Sequence, residues 1–211
     1  MKLLFCIFLM LISMNLYSQK MNVAVLIYDG VYVLDFTGPI EVFADTYLEG
    51  DTTAFNVFTI AEKPDKINAH SGLQVIPDFI IGDSPAIDIL IIPGGNPKLL
   101  NNNDTLKNKL IDLIDKSKYT MSVCTGAFIL SQTGKLDNLE ATTWHGALNH
   151  LLKVNPTLNV VNKRWTDNGK ILTTSGVSAG IDGSLYLVSK IYGKDVADKT
   201  ARYMDYEYWG K

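Results

Sequence analysis

Apolar residues in this chain fall into short solid runs, separated by polar turns and by longer stretches with helical spacing. The run Asn22-Val23-Ala24-Val25-Leu26-Ile27-Tyr28 is nearly continuous and ends at Asp29-Gly30. Continuous apolarity, rather than alternation, predicts a strand buried on both faces, as in a parallel sheet covered by helices. Further strands are predicted at 55–61, 87–92, 119–123 and 171–174, with shorter ones at 72–77, 140–143 and 160–165. Residues 31–36 lead into Thr37-Gly38-Pro39, and a helix is predicted to begin at Pro39, because a first helical turn leaves the missing N–H unneeded. Other helices are predicted over 105–116, 127–132, 145–152, 179–192 and 195–206. Asp167-Asn168-Gly169 reads as a tight hairpin turn.

Strands alternating with helices of this length specify an α/β three-layer sandwich with a mostly parallel central sheet. With 211 residues, 47% apolar and 19% charged, the chain can bury one full core but not two comfortable ones, so residues 19–211 read as a single domain. The 19 basic and 22 acidic residues are scattered, which leaves no basic stripe to gather phosphates and excludes nucleic acid as an expected partner.

Residues 1–18 have the layout of a secretory signal: a basic start, the apolar run 3–12 and small Ser18 near the end. That run is too short to span a bilayer, so the expectation is export to a periplasmic or secreted location without stable membrane insertion. Removing the segment takes Cys6 with it. Cys124 is then the one remaining cysteine, and no internal disulfide can form.

Ligands of an open α/β sheet bind outside the carboxyl ends of its strands. Asp35, Gly94-Gly95, Cys124-Thr125 and Ser175-Gly176 all fall at such ends. Cys124 enters the turn before a helix, where unpaired N–H groups and the helix dipole would favour the nucleophilic thiolate. An inert core thiol is the alternative. The Gly94 and Gly95 amides could face a developing oxyanion, or merely end a strand. Asp35, between Leu34 and Phe36, is an acid in an apolar frame; burial would raise its pKa and suit it to proton transfer, or it could serve as a helix cap. Of His70, His145 and His150, His145 is the candidate partner for a cysteine. No dinucleotide fingerprint, phosphate loop, H-x-x-x-H or C-x-x-C spacing is present, so neither a nucleotide cofactor nor a metal is expected.

Five motifs in order resemble the ThiJ/PfpI superfamily of glutamine-amidotransferase-like, flavodoxin-like proteins. They are Asp35-Phe36-Thr37-Gly38-Pro39-Ile40-Glu41-Val42-Phe43, Ile92-Pro93-Gly94-Gly95, Ser122-Val123-Cys124-Thr125-Gly126-Ala127, Ala141-Thr142-Thr143-Trp144-His145 and Thr174-Ser175-Gly176-Val177-Ser178-Ala179-Gly180-Ile181-Asp182. The chain is most similar to the branch that holds isonitrile hydratase and domains of AraC-type regulators. No helix-turn-helix segment follows the last motif, so DNA binding is not implied. The resemblance implies a cofactor-free hydratase that converts an isonitrile to an N-substituted formamide. Cys124 would be the nucleophile, Asp35 the proton carrier and Thr125 a donor that orients adduct or water. Gly38, Gly94, Gly95, His145, Ser175 and Gly176 would lie on the oxyanion or substrate-binding side, and the protein would be a homodimer. Glyoxalase-like action on 2-oxoaldehydes, or a non-enzymatic ligand-binding or redox-responsive role, are the alternatives. Two departures stand out. Thr125, not histidine, follows Cys124, which weakens a peptidase reading, and Trp144 precedes His145 where the branch often has the reverse order.

Overall fold

The solid apolar runs form the interior strands, and the helical stretches cover them. In the computed structural model, which describes residues 20–96, 98–207 and 209, the chain opens with β1 (Met21–Leu26), α1 (Val33–Ala44) and a small hairpin of β2 (Tyr47–Leu48) and β3 (Thr52–Thr53). Next come β4 (Phe55–Ala61), a ribbon of β5 (Ile67–Asn68) and β6 (Gln74–Val75), then β7 (Phe79–Ile80), β8 (Ile89–Ile92), α2 (Asp104–Lys116) and β9 (Tyr119–Val123). They are followed by α3 (Gly126–Gln132), β10 (Glu140–Ala141), a 3-10 turn (His145–Ala147), α4 (Leu148–Val154) and β11 (Asn159–Val160). The last elements are β12 (Trp165–Asp167), β13 (Ile171–Thr174), α5 (Ala179–Tyr192) and α6 (Lys194–Tyr203). The proposed signal segment lies outside the described residues.

Seven strands make the central sheet in the order β12-β13-β9-β8-β1-β4-β7. Every pairing is parallel except that of β12 with β13. The predicted α/β class and mostly parallel sheet are therefore the observed ones. Val23, Ile89, Leu90, Met121 and Leu172, from the four strands at the middle of the order, expose no surface. Helices on the sheet account for that double burial.

Three local expectations need correction. Helix α1 begins at Val33, not at Pro39, which lies inside it. Apolar Phe36, Val42 and Phe43 bury one stripe of this longer helix, and the Thr37 hydroxyl takes the Val33 carbonyl at 2.9 Å. Burial of that stripe outweighs the one backbone bond that proline removes. Residues 74–75 pair with β5 in a separate ribbon, and the sheet's edge is β7, too short to stand out by pattern. The 160–165 run splits between β11, which pairs with β10, and β12.

Candidate functional site

The order of the sheet brings the ends of β1, β8, β9 and β13 side by side, and Cys124 leaves β9 at their centre. Its φ of +55° lies in the left-handed region, which costs a non-glycine residue energy and persists only where surroundings enforce it. They do so here by hydrogen bonds to its N–H and carbonyl. The Cys124 N–H reaches the carbonyls of Thr174 (3.2 Å) and Ser175 (3.0 Å), and its own carbonyl accepts the Thr143 hydroxyl at 2.7 Å. Val177, a β-branched residue, is also left-handed, with φ of +44°. The N–H groups of Val177 and Thr125 both point at the Cys124 sulfur.

Asp35 comes from the first turn of α1 and is wholly buried. Its Oδ2 accepts the Gly94 N–H at 3.0 Å, while Oδ1 has no hydrogen-bond partner. The Cys124 thiol lies against this carboxyl. Burial pushes the Asp35 carboxyl up to about 6, although the Gly94 N–H and the thiol pull the other way. Burial, then the Asp35 charge, pushes the Cys124 thiol up to about 11 against the Val177 and Thr125 amides. This corrects the expectation of a stabilised thiolate: with Cys124 only 5% exposed, desolvation outweighs two N–H groups. At neutral pH the pair therefore rests as thiol beside carboxylate. Tyr28, raised well above its usual value by burial and then by Asp35 and Cys124, closes the floor and donates its hydroxyl to the Pro93 carbonyl at 2.8 Å.

Glycines set the close approaches. A Cβ at Gly94 would come within 2.6 Å of Asp35 Oδ2 and 2.9 Å of Cys124 Cβ. A Cβ at Gly126 would collide with the Ile92 carbonyl oxygen, so only glycine lets α3 start this close to the end of β8.

The matched segment now has both its sheet and its strained cysteine turn in place: residues 21–190 match the DJ-1/PfpI family. The chain belongs to that family. It is 30% identical over 192 residues to an isonitrile hydratase from Pseudomonas putida, an alignment that covers 89% of this chain and 79% of the relative. A ThiJ/PfpI family protein from Pseudomonas syringae has the same fold, with a TM-score of 0.80 at 23% identity, covering 92% of this chain and 79% of that one. The DJ-1beta structure from Drosophila melanogaster gives a TM-score of 0.73 at 15% identity and covers 90% of this chain and 100% of its own.

Within this DJ-1/PfpI frame the remaining candidates separate. Thr125 holds its hydroxyl against Gly95, accepting the Gly95 N–H at 3.0 Å and facing its carbonyl at 3.3 Å, and turns its backbone N–H to the sulfur. The Gly94 and Gly95 amides are engaged by Asp35 and by Thr125, and do not project as a free oxyanion pair. The N–H pair that does face the sulfur belongs to Thr125 and Val177. Ser175 acts through its carbonyl, which accepts the Cys124 N–H, and Gly176 lies under the Trp144 ring. Gly38 packs in α1 against Ile181 of α5, 3.1 Å from where a Cβ would be. His145 is exposed, with its ring 5.2 Å from that of Trp144 and no hydrogen bond to Cys124.

Sequence reasoning missed Tyr28, Thr143 and Val177. A tyrosine closing an apolar strand was a readable signal for Tyr28; nothing in the sequence marks a valine for a left-handed backbone. A cavity of about 980 Å³ between the β2–β3 hairpin and α6 is lined by residues that include Tyr47, Asp195 and Tyr203, and shares none with the Cys124 site. Among the described residues no three His, Cys, Asp or Glu side chains gather to hold a metal ion, and no helix is long and apolar enough to cross a membrane.

Proposed function

We propose that this protein is a cofactor-free hydratase that adds water across the terminal carbon of a small isonitrile to give an N-substituted formamide. The observation that carries the reading is the Cys124 thiol set against the buried Asp35 carboxyl, whose Oδ1 lacks a partner. The 30% identity to an isonitrile hydratase supports the choice of substrate.

Asp35 takes the thiol proton as the sulfur bonds to the isonitrile carbon, then returns it to that carbon, leaving a thioimidate R–N=CH–S. Water adds to the same carbon, and Asp35 takes one proton from the water and passes that proton to the nitrogen, giving R–NH–CH(OH)–S. Collapse of the adduct breaks the carbon–sulfur bond, releases R–NH–CHO and restores the thiol. The Thr125 and Val177 amides hold the sulfur while charge develops on it. Moving a proton from a thiol near 11 to a carboxyl near 6 is uphill by at most roughly 7 kcal/mol, because the transfer itself neutralises the Asp35 charge that helps raise the thiol. A turnover of about 10 per second tolerates a barrier of roughly 16 kcal/mol, so the thiolate need never accumulate.

A redox-responsive role fits less well, because oxidation follows thiolate character and this sulfur is protonated and buried. For a glyoxalase-like reaction, no histidine is hydrogen-bonded to Cys124 among the described residues. Purified protein incubated with methyl, cyclohexyl and phenyl isonitrile should release formamide that a Cys124→Ala variant does not. Equal product in both samples, or none in either, would sink the assignment.

A further inference from the structure

The reversed order Trp144-His145 has a structural counterpart at the Cys124 site. Trp144 is 43% exposed, yet its ring is clamped at both ends. A Cβ at Gly146 would come within 2.5 Å of its Cη2, and one at Gly176 within 2.7 Å of its Cδ1. Side chains at either position would displace the indole. Both flanks lead to the sulfur. Thr143, the residue before Trp144, holds the Cys124 carbonyl, and Gly176 precedes Val177, whose N–H faces the sulfur.

A ring that merely filled space between two glycines would be buried. This one keeps a large apolar surface in the open. Tyr32, 37% exposed, donates its N–H to the Gly94 carbonyl at 3.0 Å, and Leu34, 41% exposed, adjoins Asp35. Trp144, Tyr32 and Leu34 thus present exposed apolar surface on segments tied to the polar pair, and of the three Trp144 is the largest and most firmly held.

We propose that Trp144 sets substrate specificity: its exposed face receives the organic substituent of the molecule attacked by Cys124, accepting flat groups and rejecting branched ones. The inference rests on Cys124 as the reacting atom, and only for its second test on isonitrile as the substrate. A rigid wall of this kind discriminates through contact area for a flat group and steric exclusion of a branched one, worth about tenfold in rate.

The test compares alkylation of Cys124 in the full chain by iodoacetanilide, which is flat, and by N-tert-butyl iodoacetamide, which is branched, with plain iodoacetamide as the common reference. Wild type should prefer the anilide by about tenfold. Trp144→Phe should keep most of that preference, and Trp144→Ala should lose it, each rate being taken relative to that of iodoacetamide on the same protein. No preference in wild type would overturn the inference without any variant being needed. So would a preference that survives in a Trp144→Ala protein whose melting temperature is intact. In the second arm, kcat/KM for phenyl against tert-butyl isonitrile should shift the same way in the alanine variant. Formamide from neither isonitrile, with the alkylation preference present and dependent on Trp144, would defeat the isonitrile reading and leave the role of Trp144 supported.

Discussion

The carboxyl of Asp35 is held at a cost, and its sign can be worked out. Its folded-state pKa of about 6 lies above the ordinary 3.8, so the folded protein binds this proton more tightly than the unfolded chain does. That contribution to stability is full below about pH 4 and is lost as pH rises through 6. Asp35→Asn, which keeps an acceptor for the Gly94 N–H, should therefore gain stability relative to wild type between pH 4 and 7. The difference should be on the order of 3 kcal/mol, read from urea unfolding at each pH. The same variant should lose about a hundredfold or more in turnover. Wild-type activity should climb as pH passes 6, because the proton acceptor is the ionised carboxylate. Asp35 and Cys124 were legible because each is a chemically conspicuous residue at a strand end or in an apolar frame. Val177 was not. Its part is played by a backbone N–H and a positive φ, and a β-branched side chain gives no hint of either.

The elements around the site matter through how closely they approach and how firmly they are tied. Gly126→Ala should push α3 away from the Ile92 carbonyl and cost about 3 kcal/mol or more, measurable as a fall in the denaturation midpoint at unchanged m-value. The loop that carries Val177 is fastened behind the site. Arg164 Nε donates to Asp182 Oδ2 at 2.6 Å, Tyr206 donates to Asp182 Oδ1 at 3.1 Å, and Arg164 Nη2 reaches the Ser178 hydroxyl at 3.0 Å. Asp182→Ala should cost about 2 kcal/mol, below what a wholly buried pair costs, because the Arg164 side chain is 41% exposed. It should also lower kcat, since the Val177 amide would be less well placed. Most elements could be read in advance because their runs are long: 119–123, 171–174 and 179–192 coincide with β9, β13 and α5. The start of α1 was misplaced because proline is a local signal, and the stripe of Phe36, Val42 and Phe43 against the sheet is not. Two-residue strands such as β2, β3 and β7 carry too little pattern to be seen at all.

Across the whole molecule the sheet concentrates its stability in the middle. Amide hydrogens of β1, β8, β9 and β13 should exchange slowest, and those of β7 and β12 soonest, in native-state exchange followed by mass spectrometry. The edges are also guarded against pairing: β7 spans two residues, and β12 is flanked by the Lys190–Asp167 ion pair. We propose in addition that the protein is an exported homodimer, as its motifs and first eighteen residues led us to expect; sedimentation equilibrium at twice the chain mass and a mature terminus near Gln19 are the corresponding measurements. The three indoles are divided unevenly over this frame. Trp165 and Trp209 lie 6.5 Å apart, with Trp165 also against Tyr186 on the β12 side, whereas Trp144 lies apart from both, next to His145 and between Gly146 and Gly176. The protein therefore contains its own optical reporter. A molecule docking at Cys124 should alter the emission of one tryptophan and leave the other two as an internal standard, and Trp144→Phe should silence that signal while the background glow persists.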